Sequence, residues 1–527
     1  MKIAWIISPP EKGSGGFRTI CSRASYMERF GYKSVFYILP SVKTRKSVSQ
    51  VASEIESWFD YRVEVAAVPR IPSDFDAVIA TAWNTAEFAA CQACPNKLYF
   101  IQDYEPLFYP MGENFFRAMR SYLCDLKPIT IGRWLAGKMS EHYDGHVPYC
   151  DFGADLCTYK PRDSKRIPNS ICAIYQPEKD RRGSGLLRDA IELALTVKPD
   201  LQFYLYGWGG TDFAFDDKPR VHMLGVLSVE ECSDLYSKCS LGISLSASNP
   251  SRLPFEMMAA GLPVVELAAE NNSYDFPRGG ILFADPSAEG IAAAIIGAFD
   301  KDAGLDERSE LGLDFMRGRD LDHENAMFYD AVRYHCGESP DFVWERPVAN
   351  RIEPEPILPA VRELESERLQ KAWEIASAAY VPVAANHVTI SVNCSCLGGS
   401  VLKVAIWALE GQEDLTWAEL APTGFGDCCC DVPITPGLHE GFLSLHFYAH
   451  DQDDDTPVFL GSVDQVVSSD SEAAAEPLSR CVQLGGIEAR LKFDCEQKDR
   501  YEGRPSSIAA RKLLGKPLSF LRGCLSD

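Results

Sequence analysis

From its first residues the chain alternates short apolar runs with stretches in which apolar residues recur every three or four positions. This is the pattern of strands buried on both faces and joined by amphipathic helices. Residues 3–7 read as a strand, Gly13-Ser14-Gly15-Gly16 as a loop, and residues 17–30 as a helix stopped at Gly31, where glycine takes the left-handed cap. A second strand is expected at 35–39, with others at 77–80, 98–101 and 129–131. After a turn-rich stretch over 159–170 the pattern restarts, with a strand at 170–175, a helix at 186–197 and a strand at 202–206. Ser228-Val229-Glu230-Glu231 has capping-box spacing, and 241–245, 264–265 and 281–283 continue the strands. The expected fold class is α/β: two doubly wound, Rossmann-like units whose strand carboxyl ends face a cleft.

Beyond residue 345 the pattern changes. Residues 351–359 are Pro-rich, 361–378 form a charged helical stretch, and then apolar and polar residues alternate one by one, as in Val388-Thr389-Ile390-Ser391-Val392 and Ile487-Glu488-Ala489-Arg490-Leu491. A period of two indicates half-exposed antiparallel strands, and so a β-sandwich-like domain. The expected organisation is a first Rossmann-like domain at 1–158, a second at 159–345, a linker and helix at 346–383, a β-sandwich accessory domain at 384–500, and a basic amphipathic tail at 501–527.

Composition narrows the chemistry. The 527 residues are ordinary globular material with 46% hydrophobic and 24% charged residues, and the net charge of -23 excludes a general affinity for nucleic acid. Any phosphate must be bound locally. Eighteen cysteines without a repeating spacing suit reduced thiols. Cys91-Gln92-Ala93-Cys94 lacks a second pair for zinc, Cys428-Cys429-Cys430 reads as packing, and the acidic run 451–455 lacks the glycine and distal glutamate of a calcium loop. No stretch approaches the ~20 apolar residues of a spanning helix, so a cytoplasmic location is expected. The basic tail, with Arg504, Arg511, Lys512, Lys516 and Arg522 among apolar residues, suits a peripheral contact with an anionic inner membrane face or packing on its own protein.

The most informative segment runs from Ser248 to Val265: strand, loop, a short helix with Pro254 in its first turn, a stop at Gly261 and another strand. Amides at that helix start are expected to form an anion site. This segment resembles that of the retaining family 4 glycosyltransferases of GT-B fold, most closely their bacterial rhamnosyltransferase branch of cell-surface glycan assembly, and the resemblance covers about residues 1–335. The family carries two glutamates separated by seven residues. Glu256 matches the second, which the resemblance implies holds the ribose of the nucleotide, while Ser248 stands at the first, which normally contacts the hexose. Ser248, Asn249, Ser251, Pro254 and Phe255 are the donor-binding residues implied, and the departure at Ser248 directs the reading to a 6-deoxyhexose donor, preferably dTDP-L-rhamnose.

Two further segments follow strands. In Tyr175-Gln176-Pro177-Glu178-Lys179-Asp180-Arg181-Arg182-Gly183 the family has an early Arg and a later cation at the diphosphate; here Gln176 stands at the early position and Lys179, Arg181 and Arg182 supply the charge. As the sugar–phosphate bond breaks, negative charge grows on the leaving diphosphate, and fixed cations stabilise it without a metal or other cofactor. Gly15 and Gly16, with Arg18 beyond them, let backbone approach the same ligand. Tyr99-Phe100-Ile101-Gln102-Asp103-Tyr104-Glu105 ends a strand in two carboxylates, and Asp103 is the candidate base at the acceptor hydroxyl.

Asp103, Glu256 and Arg182 are thus the expected catalytic residues, and a nucleotide sugar and a glycan or lipid-linked glycan the expected partners. The expected reaction is hexosyl transfer with retention. Three rivals use the same residues differently: a metal-dependent GT-A enzyme with Asp103 and Glu105 as its metal pair, a non-catalytic glycan-binding protein with a decayed site, and a scaffold built around the sandwich.

Overall fold

The computed structural model describes residues 1–39, 46–67, 70–162, 165–210, 212, 215, 218–300, 304–378, 387–393, 401–407, 415–422, 427–433, 441–450, 458–467, 478–484 and 487–494. Residues 451–455 and the basic tail lie outside them. The chain divides into two units: residues 1–210 with 220–365, and residues 211–219 with 366–527.

The first unit holds two parallel sheets. The first has strands β1 (Lys2–Ile7), β2 (Lys33–Ile38), β3 (Glu64–Ala66), β4 (Ala77–Ala80), β5 (Asn96–Ile101), β6 (Lys127–Ile131) and β7 (Tyr149–Cys150), in the order β3-β2-β1-β4-β5-β6-β7. Its connections carry α1 (Gly15–Glu28), α2 (Val48–Phe59), α3 (Trp83–Ala90), α4 (Glu113–Ser121) and α5 (Arg133–Met139). Ile3 to Ile7 are wholly buried because helices cover both faces, which is why this strand reads as a continuous apolar run rather than an alternating one.

The second sheet has β8 (Ser170–Ile174), β9 (Gln202–Tyr206), β10 (Val221–Met223), β11 (Leu241–Ile243), β12 (Val264–Leu267) and β13 (Ile281–Ala284), in the order β10-β9-β8-β11-β12-β13. Its helices are α6 (Ser184–Val197), α7 (Val229–Lys238), α8 (Leu253–Ala259), α9 (Ala288–Ala298) and α10 (Leu305–Met316). The capping box forms at the start of α7: Ser228 Oγ accepts from the Glu231 amide at 3.2 Å and Glu231 Oε2 from the Ser228 amide at 2.7 Å.

One helix does not stay with its sheet. α11 (Leu321–His335) follows the second sheet in sequence yet packs on the first: Phe328 stacks on Trp5 at 5.7 Å and meets Phe100 edge-on at 4.7 Å, and His335 bonds the Pro128 carbonyl. A single break at 158/159 therefore misassigns 321–335. The apolar face of this helix is complementary to the face left open by β1 and β5, and chain order carries no signal of that. Two of the passages between lobes lie side by side, Ala154 pairing with Asp320, and the chain returns to the second lobe after α11, where the Asn350 amide bonds the Ser273 carbonyl.

The second unit follows α12 (Pro359–Ala378), which starts in the first. It contains β14 (His387–Asn393), β15 (Val401–Trp407), β16 (Thr416–Glu419), β17 (Ala421–Pro422), β18 (Asp427–Pro433), β19 (Gly441–His450), β20 (Val458–Val467), β21 (Leu478–Leu484) and β22 (Ile487–Asp494). They form two antiparallel sheets, β17-β18-β14-β22-β21 and β16-β15-β19-β20, that share one core of inward residues including Val388, Ile390, Val404, Leu445, Phe447 and Leu491. Cys428 and Cys430 pack against this core, and burial pushes the Cys430 thiol up to about 12, as expected of packing rather than reactive cysteines.

Candidate active site in the cleft between the wound sheets

The two lobes meet at strand carboxyl ends. β8 runs through Gln176 into a short turn at Asp180–Arg182, and α6 then starts at Gly183 with no side chain capping its amides. Arg182 donates to Ser246 Oγ at 3.1 Å, and Arg181 lies 4.5 Å over the Phe108 ring of the opposite lobe. The Arg181 Nη1 group is buried with no hydrogen-bond partner. Burial and the neighbouring Arg181 both push the Arg182 guanidinium below its ordinary value, and Lys179 is lowered by burial and by both arginines, against the pull of Glu178. Three cations thus crowd one helix start. Such a hollow favours an anion by charge and by helix dipole together.

Two buried carboxylates, Glu266 and Asp103, lie near the arginines. Glu266, wholly buried in β12, accepts from the Ser246 and Leu267 amides at 2.7 and 2.9 Å and leaves Oε2 without a partner. Burial pushes its carboxyl up to about 8, so near neutral pH its protonated form persists. Asp103 is also raised by burial, and its oxygens are engaged: Oδ1 accepts from the Tyr104 and Asn249 amides, both at 2.8 Å, and Oδ2 from Ser248 Oγ at 3.2 Å. Asn249 Nδ2 donates across to the Gln102 and Ile131 carbonyls at 3.1 and 2.9 Å. Asp103 therefore latches the 248–249 loop to the opposite lobe in this structure, in place of the free base that was expected.

Glu256 sits in α8, beside Arg252 and hydrogen-bonded to Tyr159; burial pushes its carboxyl up to about 7 while Arg252, Tyr159 and Arg18 pull it down. Arg18, exposed on the first turn of α1, thus brings the first lobe to Glu256. Gly15 and Gly16 are not a loop but the opening of α1, capped by Ser14 Oγ at 3.3 Å from the Phe17 amide. Ser14 is a good N-cap, which is why the helix starts two residues before the apolar pattern. A Cβ at Gly16 would stand 3.4 Å from the Gln102 side chain, beside Asp103.

The start of α8 departs from expectation. The Leu253 amide donates to Ser251 Oγ at 3.3 Å, Pro254 has no amide hydrogen, and the Phe255 and Glu256 amides both turn back to the Arg252 carbonyl at 3.1 Å. The Leu253, Phe255 and Glu256 amides of that turn are thus engaged within the chain, whereas the first amides of α6 carry no side-chain cap. Phe255 is not a ligand contact either: it stacks between Phe152 at 4.5 Å and Phe276 at 5.0 Å, wholly buried. Pro254 and Ser251 are buried with it.

Beneath the cleft, Glu324 of α11 bonds Arg23 of α1, Arg252 at 2.5 and 2.9 Å, and the Gly153 amide at 2.9 Å. Burial alone would raise this carboxyl, but the two guanidiniums hold it down at about 2. Arg252, Tyr159 and Glu266 were not singled out from sequence. A lone carboxylate in the apolar run Val264-Val265-Glu266-Leu267 is a signal that could have found the last.

The metal pair of the GT-A rival does not assemble. Glu105 accepts from the Trp83 amide at 2.6 Å and from Tyr99 Oη at 3.1 Å, while Asp103 serves the other lobe. Among the described residues no group of three or more His, Cys, Asp or Glu side chains is arranged to hold a metal, and no helix is long and apolar enough to cross a membrane.

Two wound sheets facing a cleft, with α11 returning to the first, make this the GT-B fold of glycosyltransferases. Part of the chain is also similar in sequence to known proteins. Residues 169–296 match the family model described as WsaF, C-terminal domain. The O-antigen biosynthesis protein RfbC of Myxococcus xanthus is 28% identical over 296 residues, 53% of this chain and 23% of that protein, so the chain spans about a quarter of that relative's length. Among solved structures, TarM superposes with a TM-score of 0.51 at 8% identity over 63% of this chain and 98% of its own. A variant of S. aureus TarM bound to Fondaparinux, alpha-GlcNAc-glycerol and UDP gives 0.50 at 8% identity, over 64% and 100%. At such identities the likeness is one of fold.

Proposed function

We propose that the chain is a glycosyltransferase of cell-surface glycan assembly, taking a sugar from a nucleoside diphosphate donor and adding it to a glycan or lipid-linked glycan. One observation carries this reading: Lys179, Arg181 and Arg182 converge on the uncapped start of α6 without a full set of anionic partners. A diphosphate supplies what that hollow lacks. The match to WsaF and the O-antigen biosynthesis protein supports the direction of the pathway.

In this reading Arg181, Arg182 and the α6 amides hold the diphosphate and stabilise its growing charge as the glycosidic bond breaks. Glu256, within reach of Arg18 and Tyr159, accepts from the ribose hydroxyls. Ser248, in place of a glutamate, leaves room for the 6-deoxy sugar of dTDP-L-rhamnose, the preferred donor. Asp103 is a positioning residue for the 248–249 loop on the acceptor side. In this reading retention proceeds by front-face departure and attack, with the cations of the loop standing in for a metal. The site lies at the cytoplasmic face, where nucleotide sugars are made.

The test is a thermal-shift series with dTDP, UDP, GDP and ADP, since a ligand of the folded state raises the apparent midpoint by mass action. dTDP or UDP is expected to shift the wild type and to shift Glu256→Ala far less. Product formation from dTDP-L-rhamnose on a lipid-linked acceptor, resistant to chelator, then identifies the donor. A protein that no nucleotide shifts is the decayed glycan-binding form instead.

A further inference from the structure

The second unit carries a feature that the transfer reaction does not use. In the four-stranded sheet, Leu402, Val404 and Ile406 of β15 and Leu443, Leu445 and Phe447 of β19 face the shared core. The alternate residues therefore face outward, and register brings them into rows. Trp417, Ala405, His446 and Ser462 form one row; Glu419, Lys403, Tyr448 and Phe459 form the next, the irregularity after Phe447 bringing Phe459 opposite Tyr448. Trp407, Ser444 and Asp464 form a third.

The rings on these rows touch in a continuous series. Trp417 lies 5.3 Å from Tyr448, Tyr448 5.4 Å from Phe459, Phe459 5.4 Å from His446 and His446 4.3 Å from Trp407. Ala405, the small residue at the centre, is 2% exposed because rings cover it, while Trp417 and Phe459 remain 41% and 52% exposed. A patch of this kind on a sheet surface marks a binding face rather than scattered exposure.

Its chemistry selects the ligand. Aromatic rings dominate the three rows, with no leucine or isoleucine such as a protein or lipid contact would add, and the rims carry hydroxyls and carboxylates. Ser444 Oγ donates to Asp464 Oδ1 at 2.6 Å, and Glu419 stands opposite Lys403. Rings take the C–H faces of pyranoses, whose hydrogens are made slightly positive by the ring oxygens, against their negative π faces. Rim carboxylates accept from sugar hydroxyls. Among the described residues of these rows Glu419 and Asp464 stand against Lys403, leaving no excess positive charge there for an anionic lipid or a polyanion.

We propose that the outer face of the β16-β15-β19-β20 sheet is a binding site for a neutral polysaccharide, with Trp417, Tyr448 and Phe459 as its stacking surface. A glycan is also what the proposed transferase extends, and to that extent the assignment rests on that reading. Bound here, the growing chain is retained between successive additions.

Native affinity electrophoresis of the full chain tests this. The gels contain lipid-free O-polysaccharide, released by mild acid from smooth lipopolysaccharide, or dextran. Retardation is expected in at least one of them, and the double variant Trp417→Ala/Phe459→Ala is expected to bind at least about tenfold more weakly, as loss of two stacking contacts implies. Trp417→Phe, which keeps a ring, retains binding, and the double variant keeps the wild-type urea midpoint and nucleotide shift. Glu256→Ala remains retarded, separating this face from the cleft. Absence of retardation in both gels overturns the assignment, as does retardation that Glu256→Ala abolishes and the double variant retains. So does a wild-type dimer in sedimentation velocity that the double variant dissociates, because a second copy then covers the face.

Discussion

Replacing Glu324 by Gln removes the carboxylate that is ion-paired with both Arg23 and Arg252, while keeping the side-chain volume. The cost follows from linkage. Glu324 titrates at about 2 in the folded protein against an ordinary 4.5, and that gap is worth ~3 kcal/mol of stability. The value agrees with the ~3–5 kcal/mol lost when one partner of a buried ion pair is removed. Because the folded value is the lower one, the contribution is present above pH 4.5 and disappears as pH falls towards 2. At pH 3 less than half of it should remain.

Urea unfolding followed by tryptophan fluorescence reads this directly, since Trp5 stacks on Phe328 of the same helix. The wild type should exceed Glu324→Gln by ~3 kcal/mol at pH 7 and by about half that or less at pH 3. A difference below ~1 kcal/mol at pH 7, or one that does not change with pH, refutes the idea that the two arginines hold this carboxylate ionised. Arg252 also donates to the Gly153 carbonyl at 2.6 Å and directly precedes α8. Nucleotide affinity should therefore fall in the same variant although Glu324 touches no ligand.

Arg182→Ala should weaken UDP or dTDP binding by ~10–100-fold in calorimetry, with a smaller effect on the nucleoside monophosphate, because charge-assisted bonds to phosphate are worth ~1.5–3 kcal/mol. Burial places the Glu256 carboxyl at about 7, so if its ionised form accepts the ribose hydroxyls, nucleotide affinity should decline as pH falls from 8 to 6, and Glu256→Gln should flatten that profile. Gly132→Ala should destabilise by ~3 kcal/mol, seen as a lowered urea midpoint: Gly132 has φ +85° and a Cβ there would stand 2.7 Å from Phe152 and 3.1 Å from Asp275. A Gly132→Ala protein as stable as wild type would mean the two lobes do not abut at α5.

The wound sheets were legible because both sheet faces are covered, so buried strands stand out as apolar runs; 202–206 and the Ser228 capping box match residue for residue. Helix starts were less so. Gly15, Gly16 and Ser184 are poor helix formers that the chain places in first turns, where Ser14 caps and α6 opens. In the cleft, the unusual charges of Arg181, Arg182 and Glu256 were legible, while the contacts of residues that meet only through the fold were not. Nothing local announces that Asp103 would be met by Ser248 and Asn249, or Glu324 by Arg23, about 145 and 300 residues apart. Phe255 shows the converse error: its place in a family motif suggested a ligand, but its neighbours Phe152 and Phe276 make it a stack.

Two of the passages between the lobes are adjacent at Ala154 and Asp320, the Ala154 amide bonding the Arg319 carbonyl at 3.1 Å, and a third follows α11, between Trp344 on Tyr149 and Asn350 on Ser273. A seam of this kind is a pivot, about which the lobes can turn without stretching the backbone. Noncovalent bonds across the cleft oppose such turning, among them those of Asn249 to Asp103, Gln102 and Ile131 at the mouth and of the Arg133 and Trp134 amides to Asp275. Asn249 thereby acts as a bolt on a hinged door, and its loss would change how fast donor enters and nucleotide leaves before it changed the chemistry inside.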